Sequence, residues 1–198
     1  MGIPVTDVVT LADGFDTDDA TTVGFVANLR AQHAPFVVEV GTRRADESTP
    51  THHAGWLPAD GTLIMSDAFP GLDVDVVADA ETMTPFESDV YDAVVYCFTL
   101  EHIPRPWRAI EAFARILRPG GELYVATHQT FPVHGYPSDY FRFTTEALTL
   151  LGEDAGLIVE STDCTFPCTI RPDVGLERWN DAAPSWLIVS ARYRKTTP

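Results

Sequence analysis

Three histidines stand where a predicted strand ends or in the loop that follows one. His102 comes shortly after a strand, His128 comes directly after the next strand, and His134 lies in the loop beyond it. Histidine is the side chain best suited to take up or release a proton near neutral pH. Helix capping, packing and fixing of loop geometry are the structural alternatives for these residues. The three are therefore candidate acid–base residues.

Acidic residues stand at or near the ends of three other apolar runs. Glu39 precedes Gly41 at the end of the first run, Asp67 ends the second and Asp79 ends the third. Gly41 has no Cβ, so its backbone can approach a ligand closely. Carboxylates at such strand ends can accept hydrogen bonds from ligand hydroxyl or amino groups. An ordinary strand followed by a turn is the structural alternative for Glu39 and Gly41.

The elements that must position these residues alternate between strand and helix. This alternation predicts parallel βαβ units with right-handed crossovers and ligands at the carboxyl ends of the strands. The predicted helices are Asp16–Gln32, Pro106–Leu117, and one from Thr144 or Thr145 to Asp154. The predicted strands are Phe36–Val40, Thr62–Asp67, Asp75–Asp79, Tyr91–Phe98, Glu122–Thr127, Leu157–Ser161 and Trp186–Tyr193.

The fold class that follows is α/β. We predict a Rossmann-like, doubly wound, mostly parallel seven-stranded sheet with helices on both faces. Pro50, Gly55, Pro58 and Gly61 leave room for at most a short helix between the first two strands, so the domain is trimmed between strands 1 and 3. We expect one domain, with an N-terminal helical segment (1–34), a core (35–165), and a loop and last strand (166–198).

Composition excludes several classes of protein. The 29 acidic and 13 basic residues give a formal charge of −16, which repels phosphate backbones and argues against nucleic acid. Attraction of a cationic substrate is the weaker interpretation of this charge. The longest apolar stretch, Ala93–Leu100, is far too short to span a membrane. Three cysteines cannot all pair within one chain, and with no signal-like N-terminus they favour a reduced, cytoplasmic protein.

Several motifs occur in a characteristic order. They are Glu39-Val40-Gly41 after a strand, Tyr91-Asp92-Ala93-Val94-Val95, Leu100-Glu101-His102-Ile103, and Leu117-Arg118-Pro119-Gly120-Gly121. In this order they resemble the class I S-adenosylmethionine (SAM)-dependent methyltransferases, over about Phe36 to Leu151. The stretch from His128 to Thr144 resembles a bacterial subgroup whose members are suspected of acting on sugars or other small metabolites.

This resemblance implies SAM as the cofactor and methyl transfer to an oxygen or nitrogen of a small metabolite. It assigns His128 as the candidate base, with His102 beside the cofactor. The implied cofactor-binding residues are Glu39, Gly41, Thr42, Arg43, Asp67, Asp79, Ala80 and Phe98, with Asp67 on the ribose and Asp79 on the adenine amino group. The implied acceptor residues are His134, Tyr136, Asp139, Tyr140 and Arg142. Packing of the aromatic rings and a structural ion pair between Arg142 and Asp139 are the alternatives.

One departure from the family pattern bears on the cofactor. The family loop is usually Glu-x-Gly-x-Gly-x-Gly, and here Arg43 and Ala45 replace the second and third glycines. Either the loop takes another path with Arg43 on the SAM carboxylate, or cofactor binding is weakened or lost. The second case predicts a non-catalytic binding or scaffold subunit. A nicotinamide oxidoreductase is disfavoured because the loop lacks Gly-x-Gly-x-x-Gly.

The sequence also yields expectations about metals and partners. His52 and His53 are adjacent and face differently in an extended chain, and no acidic cluster has metal-ligand spacing. We therefore predict metal independence. The expected partner is a small-molecule acceptor, with no nucleic acid and no membrane, and homodimer formation is left open.

Overall fold

The sheet at the centre of the molecule has seven strands, most of them parallel. The computed structural model describes residues 9–10, 16–44, 52–135, 137–170 and 183–197. The strands are β1 (Phe36–Val40), β2 (Thr62–Asp67), β3 (Val76–Val77), β4 (Tyr91–Cys97), β5 (Leu117–His128), β6 (Leu157–Ile170) and β7 (Ala183–Lys195). Their order is β3-β2-β1-β4-β5-β7-β6. The first five strands in this order pair in parallel, and β7 runs antiparallel to its neighbours β5 and β6, which confirms the predicted fold class.

Helices cover both faces of the sheet, as the apolar runs predicted. They are α1 (Ala20–Ala31), α2 (Pro106–Ile116) and α3 (Thr145–Asp154). Successive β4 residues point to opposite faces. Val94 and Tyr96 pack in the cluster that contains Phe113 of α2, whereas Val95 packs in the cluster that contains Phe25 of α1. Burial on both faces explains why β4 is apolar without alternation.

The start of α1 differs from the prediction. The helix begins at Ala20 because the carboxylate of Asp19 accepts a hydrogen bond from the Thr22 amide at 2.8 Å and caps the first turn. Asp16–Thr17, predicted to be helical, pairs instead with Val9–Thr10 in a two-stranded antiparallel ladder. The cap was visible in the sequence, but four acidic or hydroxyl residues in a row made its position ambiguous.

The ends of α2 and α3 agree with their sequence signals. Pro106 occupies the first turn of α2, and Thr144 caps α3 by accepting from the Ala147 amide. Gly156 ends the turn after α3 at a φ of 74°. Strand β5, however, begins at Leu117 rather than Glu122. Leu117 and Glu122 pair with Tyr91 and Ala93, so residues 118–121 form an insertion in the ladder rather than a separate turn.

Strand β6 is longer than predicted. It continues past Ser161 to Ile170, because its antiparallel pairing with β7 runs on to the pair Ile170–Ala183. Pro167 is tolerated because β6 is an edge strand. The predicted loop from 166 to 184 is therefore strand at both ends, and residues 171–182 lie outside the described ones. Between residues 52 and 75 the helical content is the single turn Ala54–Trp56, in agreement with a trimmed domain.

Candidate functional site

The loop after β1 turns at Gly41, whose φ of 84° is unfavourable for any residue with a Cβ. Its amide donates to the Ser66 carbonyl at 2.8 Å. A Cβ on Gly41 would overlap the Thr99 side chain. The sequence predicted close approach of a ligand here, and the structure shows close approach of Thr99. Thr42, also predicted for the cofactor, is buried and donates its hydroxyl to the Asp73 carbonyl at 2.6 Å.

Both arginines of this loop contact the connection between β2 and β3. The Arg43 amide donates to the Asp67 carboxylate at 3.3 Å, and the Arg43 side chain lies against Gly71. Arg44 forms an ion pair with Asp73 at 2.8 Å. The loop therefore takes a path in which Arg43 is exposed at the side, over the β2–β3 connection. Ala45 lies outside the described residues.

Glu39 is committed to a buried partner. Its two carboxylate oxygens accept from the His53 amide at 2.8 Å and lie 2.6 Å from His53 Nδ1. Burial alone lowers the pKa of His53, but the Cys97 sulfur and the Glu39 carboxylate outweigh it and raise that pKa to about 10. Glu39, predicted to bind the cofactor, thus anchors the segment between β1 and β2. Sequence reasoning missed this role of His53. It considered His52 and His53 only as a metal-binding pair, which it rejected.

Asp67 at the end of β2 and Asp79 just after β3 each accept hydrogen bonds from amides of the loop that follows, and each can accept more. The Asp67 carboxylate accepts from the Phe69 amide at 3.0 Å in addition to Arg43. Asp79 accepts from the Glu81 amide at 2.8 Å, and Ala80 beside it is buried. Each carboxylate oxygen can accept more than one hydrogen bond. Asp67 and Asp79 can therefore still bind a ligand hydroxyl or amino group.

Two buried hydroxyl groups between these acids have no hydrogen-bond partner among the described residues. They belong to Ser66 and Tyr96, which flank Val40 in the strand register and face the same side of the sheet. Burial raises the pKa of Tyr96 well above its ordinary value, and the carboxylates of Glu101, Asp67 and Asp79 add to this. Unpartnered buried hydroxyls are costly. Both side chains are fully buried, so only a group that enters between these strand ends could bind the two hydroxyls.

His128, the predicted base, lies at the end of β5 between aromatic rings. It stacks on Phe131 at 4.1 Å between ring centroids and on Phe98 at 5.3 Å. Phe98 has a φ of 50°, a conformation that is rare for a bulky residue and places its ring on the histidine. Burial lowers the pKa of His128, although the Glu101 carboxylate opposes this. Phe98 was predicted to contact the cofactor, and the structure places it against the base candidate.

Glu101 is the centre of the histidine cluster, and sequence reasoning gave it no role. It is fully buried, and its Oε2 accepts from the Thr127 hydroxyl at 2.8 Å. Its Oε1 lies 3.3 Å from His128 Nε2, 3.8 Å from His102 Nε2 and 3.9 Å from His134 Nε2. The structure thus brings the three predicted histidines together. An acid in the turn that follows a buried strand, directly before His102, was the signal that could have identified it.

The loop from β5 to α3 is held by Arg142. Its guanidinium contacts both oxygens of Asp139, at 2.6 and 2.7 Å, and the carbonyls of Phe131 and Pro132. The Arg142 hydrogen bonds and the His134 amide lower the pKa of Asp139. Asp139, Tyr140 and Arg142 were predicted to line the acceptor pocket. Asp139 and Arg142 instead bind each other. The Tyr140 side chain is half exposed. Tyr136 lies outside the described residues.

Part of the chain is similar in sequence to known methyltransferases. Residues 64–125 match the protein family described as a methyltransferase domain. The demethylmenaquinone methyltransferase of Renibacterium salmoninarum is 38% identical over 61 residues, which is 30% of this chain and 26% of that protein. The chain thus aligns with about a quarter of the length of this curated relative.

Solved structures extend the likeness to the whole fold. A methyltransferase-like protein from Bacillus halodurans superposes with a TM-score of 0.64 at 16% identity, covering 88% of this chain and 98% of its own. The 1,6-didemethyltoxoflavin-N1-methyltransferase of Burkholderia thailandensis, with bound substrate and S-adenosylhomocysteine, gives 0.60 at 14% identity over 91% and 80%. The chain has the fold of the class I SAM-dependent methyltransferases, and the resemblance stated from its motifs is confirmed.

None of the helices that the structure describes has the length and apolar character needed to cross a membrane.

Proposed function

We propose that this protein is a SAM-dependent methyltransferase that methylates an oxygen or nitrogen of a small metabolite. One observation carries the proposal. The unpartnered hydroxyls of Ser66 and Tyr96 lie among strand-end acids, and the carboxylate of Glu101 next to them touches His128. A ligand-binding half and a proton-transfer half therefore meet at neighbouring strand ends. The fold places ligands at this edge of the sheet.

The residues at the ends of β2, β3 and β4 are those that would hold the cofactor. Asp67 and Asp79 offer acceptors for ribose hydroxyls and an adenine amino group, and the hydroxyls of Ser66 and Tyr96 supply further hydrogen bonds. SAM supplies an electrophilic methyl group on a sulfonium. Gly41 and Thr42 shape the loop between these positions through their contacts with Thr99 and Asp73.

The acceptor would enter beside His128. This histidine is proposed to take the proton from an acceptor hydroxyl or amine, because its ring is fixed by Phe131 and Phe98 at the end of β5. The buried Glu101 carboxylate, 3.3 Å from His128 Nε2, would stabilise the imidazolium that forms. Burial of this pair keeps water away from the transfer. His134 and Tyr140 stand on the loop that would contact the acceptor.

Binding measurements test the proposal most directly. Calorimetry with SAM and with S-adenosylhomocysteine should give saturable binding of about one ligand per chain. Transfer of a labelled methyl group to a panel of hydroxyl- and amine-bearing metabolites, sugars included, should then identify the acceptor. If neither SAM nor S-adenosylhomocysteine binds to well-folded protein, the proposal is wrong.

The alternative of a non-catalytic scaffold makes a different prediction about the altered loop. If Arg43 and Ala45 mark a lost cofactor site, changing both to glycine should create or strengthen SAM binding. If the unaltered chain binds SAM and the double variant binds no better, the scaffold alternative is wrong. Cytoplasmic location, homodimer formation and absence of nucleic acid stay predictions from the sequence.

A further inference from the structure

The buried carboxylate of Glu101 has one oxygen with no hydrogen-bond partner among the described residues. Oε1 is inaccessible to solvent, while Oε2 of the same group accepts from Thr127. An unpaired carboxylate oxygen in such a position is costly unless a cation or a donor meets it. Something at this point must offset that cost.

The three imidazoles around Oε1 are too far away to act as simple donors. His102 Nε2 and His134 Nε2 lie 3.8 and 3.9 Å from it, beyond hydrogen-bond distance. His128 Nε2 is nearer, at 3.3 Å, yet it makes no aligned hydrogen bond to the oxygen. The ligand atoms of Glu101, His102 and His134 all lie within 4.8 Å of one another. They are close enough together for one metal ion to bind all three.

The other ring nitrogens of His102 and His134 are already used. Nδ1 of His102 lies 2.6 Å from the Ser138 carbonyl, and Nδ1 of His134 lies 3.2 Å from the Pro132 carbonyl and 3.2 Å from Asp139. A carbonyl can only accept, so Nδ1 carries a proton in both rings, and Nε2 is the nitrogen whose lone pair can bind a metal ion when the ring is neutral. Donation from the second nitrogen to a carbonyl or carboxylate is the usual setting of a metal-binding histidine.

We propose that Glu101, His102 and His134 bind a divalent transition-metal ion. Two imidazoles and one carboxylate are a ligand set for Zn²⁺, Fe²⁺ or Mn²⁺, whereas Mg²⁺ and Ca²⁺ prefer oxygen alone. Metal–ligand distances of about 2.0–2.1 Å give edges of roughly 3.4 Å in a tetrahedron. The observed 3.8 and 3.9 Å to Glu101 need an inward shift of a few tenths of an ångström, and the edge between the two histidines, which is at most 4.8 Å, needs a shift of at most about 1.4 Å. His134 sits on a loop and is partly exposed, which allows that shift.

Three protein ligands leave a coordination position open. Because His128 reaches Oε1 at 3.3 Å, it borders that position without belonging to the mutually close set. If the proposed methyl transfer is right, on which this step depends, the open position takes the acceptor oxygen. Its proton passes to His128 Nε2, its lone pair bonds the methyl carbon, and the S–CH₃ electrons return to sulfur. The predicted metal independence came from sequence spacing, which does not reveal contacts between strand ends.

The test uses the full chain without an affinity tag, stripped by a chelator. Titration with Zn²⁺ should show one tight site per chain, and Co²⁺ should give the visible d–d absorption of a low-symmetry four- or five-coordinate ion. Ca²⁺ at the same concentrations should bind only weakly, which measures nonspecific attraction to a surface of charge −16. Zn²⁺ binding no tighter than Ca²⁺ binding would overturn the proposal.

Variants localise the site. His134→Ala and His102→Ala should each weaken Zn²⁺ binding by about 100-fold or more and remove the Co²⁺ spectrum. The matched control is His33→Ala, whose side chain is 94% exposed outside the cluster, and it should bind like the parent chain. Equal Zn²⁺ affinity in all three variants contradicts the assignment. If Glu101→Gln does not fold, His134→Ala on the loop still decides the matter, with circular dichroism confirming its fold.

Metal and cofactor binding are measured separately, so the two proposals fail separately. Chain that binds S-adenosylhomocysteine but no Zn²⁺ refutes the metal site alone. Chain that binds Zn²⁺ but neither nucleoside refutes the methyltransferase proposal alone.

Discussion

The two halves of the site use their polar side chains differently. At the end of β1 and in the loop that follows it, polar groups are bound to one another: Glu39 to His53, Thr42 and Arg44 to Asp73. At the ends of β2, β4 and β5, buried polar groups have atoms without a hydrogen-bond partner among the described residues, namely the hydroxyls of Ser66 and Tyr96, Glu101 Oε1 and His128 Nδ1. The first half resembles a framework whose contacts are complete. The second retains unsatisfied capacity, which is where binding and chemistry are expected.

The same difference gives the altered glycine loop a structural role. Its substitutions lie in the half with completed contacts, where Arg43 packs against Gly71 and donates its amide to Asp67. A loop fastened in this way holds its shape without the family glycines. The hydroxyls proposed to bind the cofactor belong to Ser66 and Tyr96, which flank Val40 just before this loop. Four substitutions test this division, and they follow in decreasing order of the change that we expect.

His128→Ala should have the largest effect, and on rate rather than stability. Removal of a general base usually lowers kcat by about 10²–10⁴-fold. Affinity for S-adenosylhomocysteine should stay within about threefold of the parent chain, since the ring lies on the acceptor side. Steady-state methyl transfer and calorimetry measure the two quantities. A variant with unchanged kcat would show that the second half holds no base.

Gly41→Ala should test the framework half by destabilising it. A positive φ costs an L-residue about 1–2 kcal/mol, and overlap with Thr99 adds about 1–3 kcal/mol. We expect the free energy of unfolding to fall by about 3–4 kcal/mol in urea titrations. In a Thr99→Ala background the same change should cost only the backbone part. Equal costs in both backgrounds would show that Thr99 does not fill the glycine's space.

The His53–Glu39 pair should make stability depend on pH. Because the folded pKa of His53 is raised, its contribution is complete below the unfolded pKa of about 6.5 and is lost as pH rises toward about 10. His53→Asn, which keeps an N–H beside Glu39, should cost about 3 kcal/mol at pH 6 and less at pH 9. Urea unfolding of both chains at the two pH values gives this difference. A difference that grows with pH would contradict the raised pKa.

Tyr96→Phe should have the smallest effect on stability. The lost hydroxyl is buried and has no hydrogen-bond partner in the part of the chain that the structure describes, so the free energy of unfolding should change by less than about 0.5 kcal/mol or rise. Affinity for S-adenosylhomocysteine should fall by about 5–10-fold if this hydroxyl meets the nucleoside. Calorimetry and thermal unfolding of the variant check both statements. Tyr193→Phe is the matched control, because its hydroxyl already donates to the Leu148 carbonyl and should affect stability alone.

Local patterns in the sequence were enough for most elements of the sheet. The apolar run of β4, the β-branched run of β1 and the Thr144 cap of α3 depend on neighbouring residues, and each lies where it was predicted. Besides the start of β5, the predictions were wrong at two boundaries, the start of α1 and the end of β6. In the first, Asp19 among several similar residues took the capping position. In the second, pairing with β7 extended a strand whose own sequence does not favour it.

The sequence alone determined the fold class and the three histidines that the structure brings together. Which side chains pair across the sheet was decided only in three dimensions. Glu101 meets His134 and Glu39 meets His53 because β1, β4 and β5 lie side by side. His53 is 14 positions from Glu39 in the sequence, and His134 is 33 positions from Glu101, with loops in between. Propensity and periodicity act over a few residues, whereas these contacts depend on strand order and on the paths of the loops.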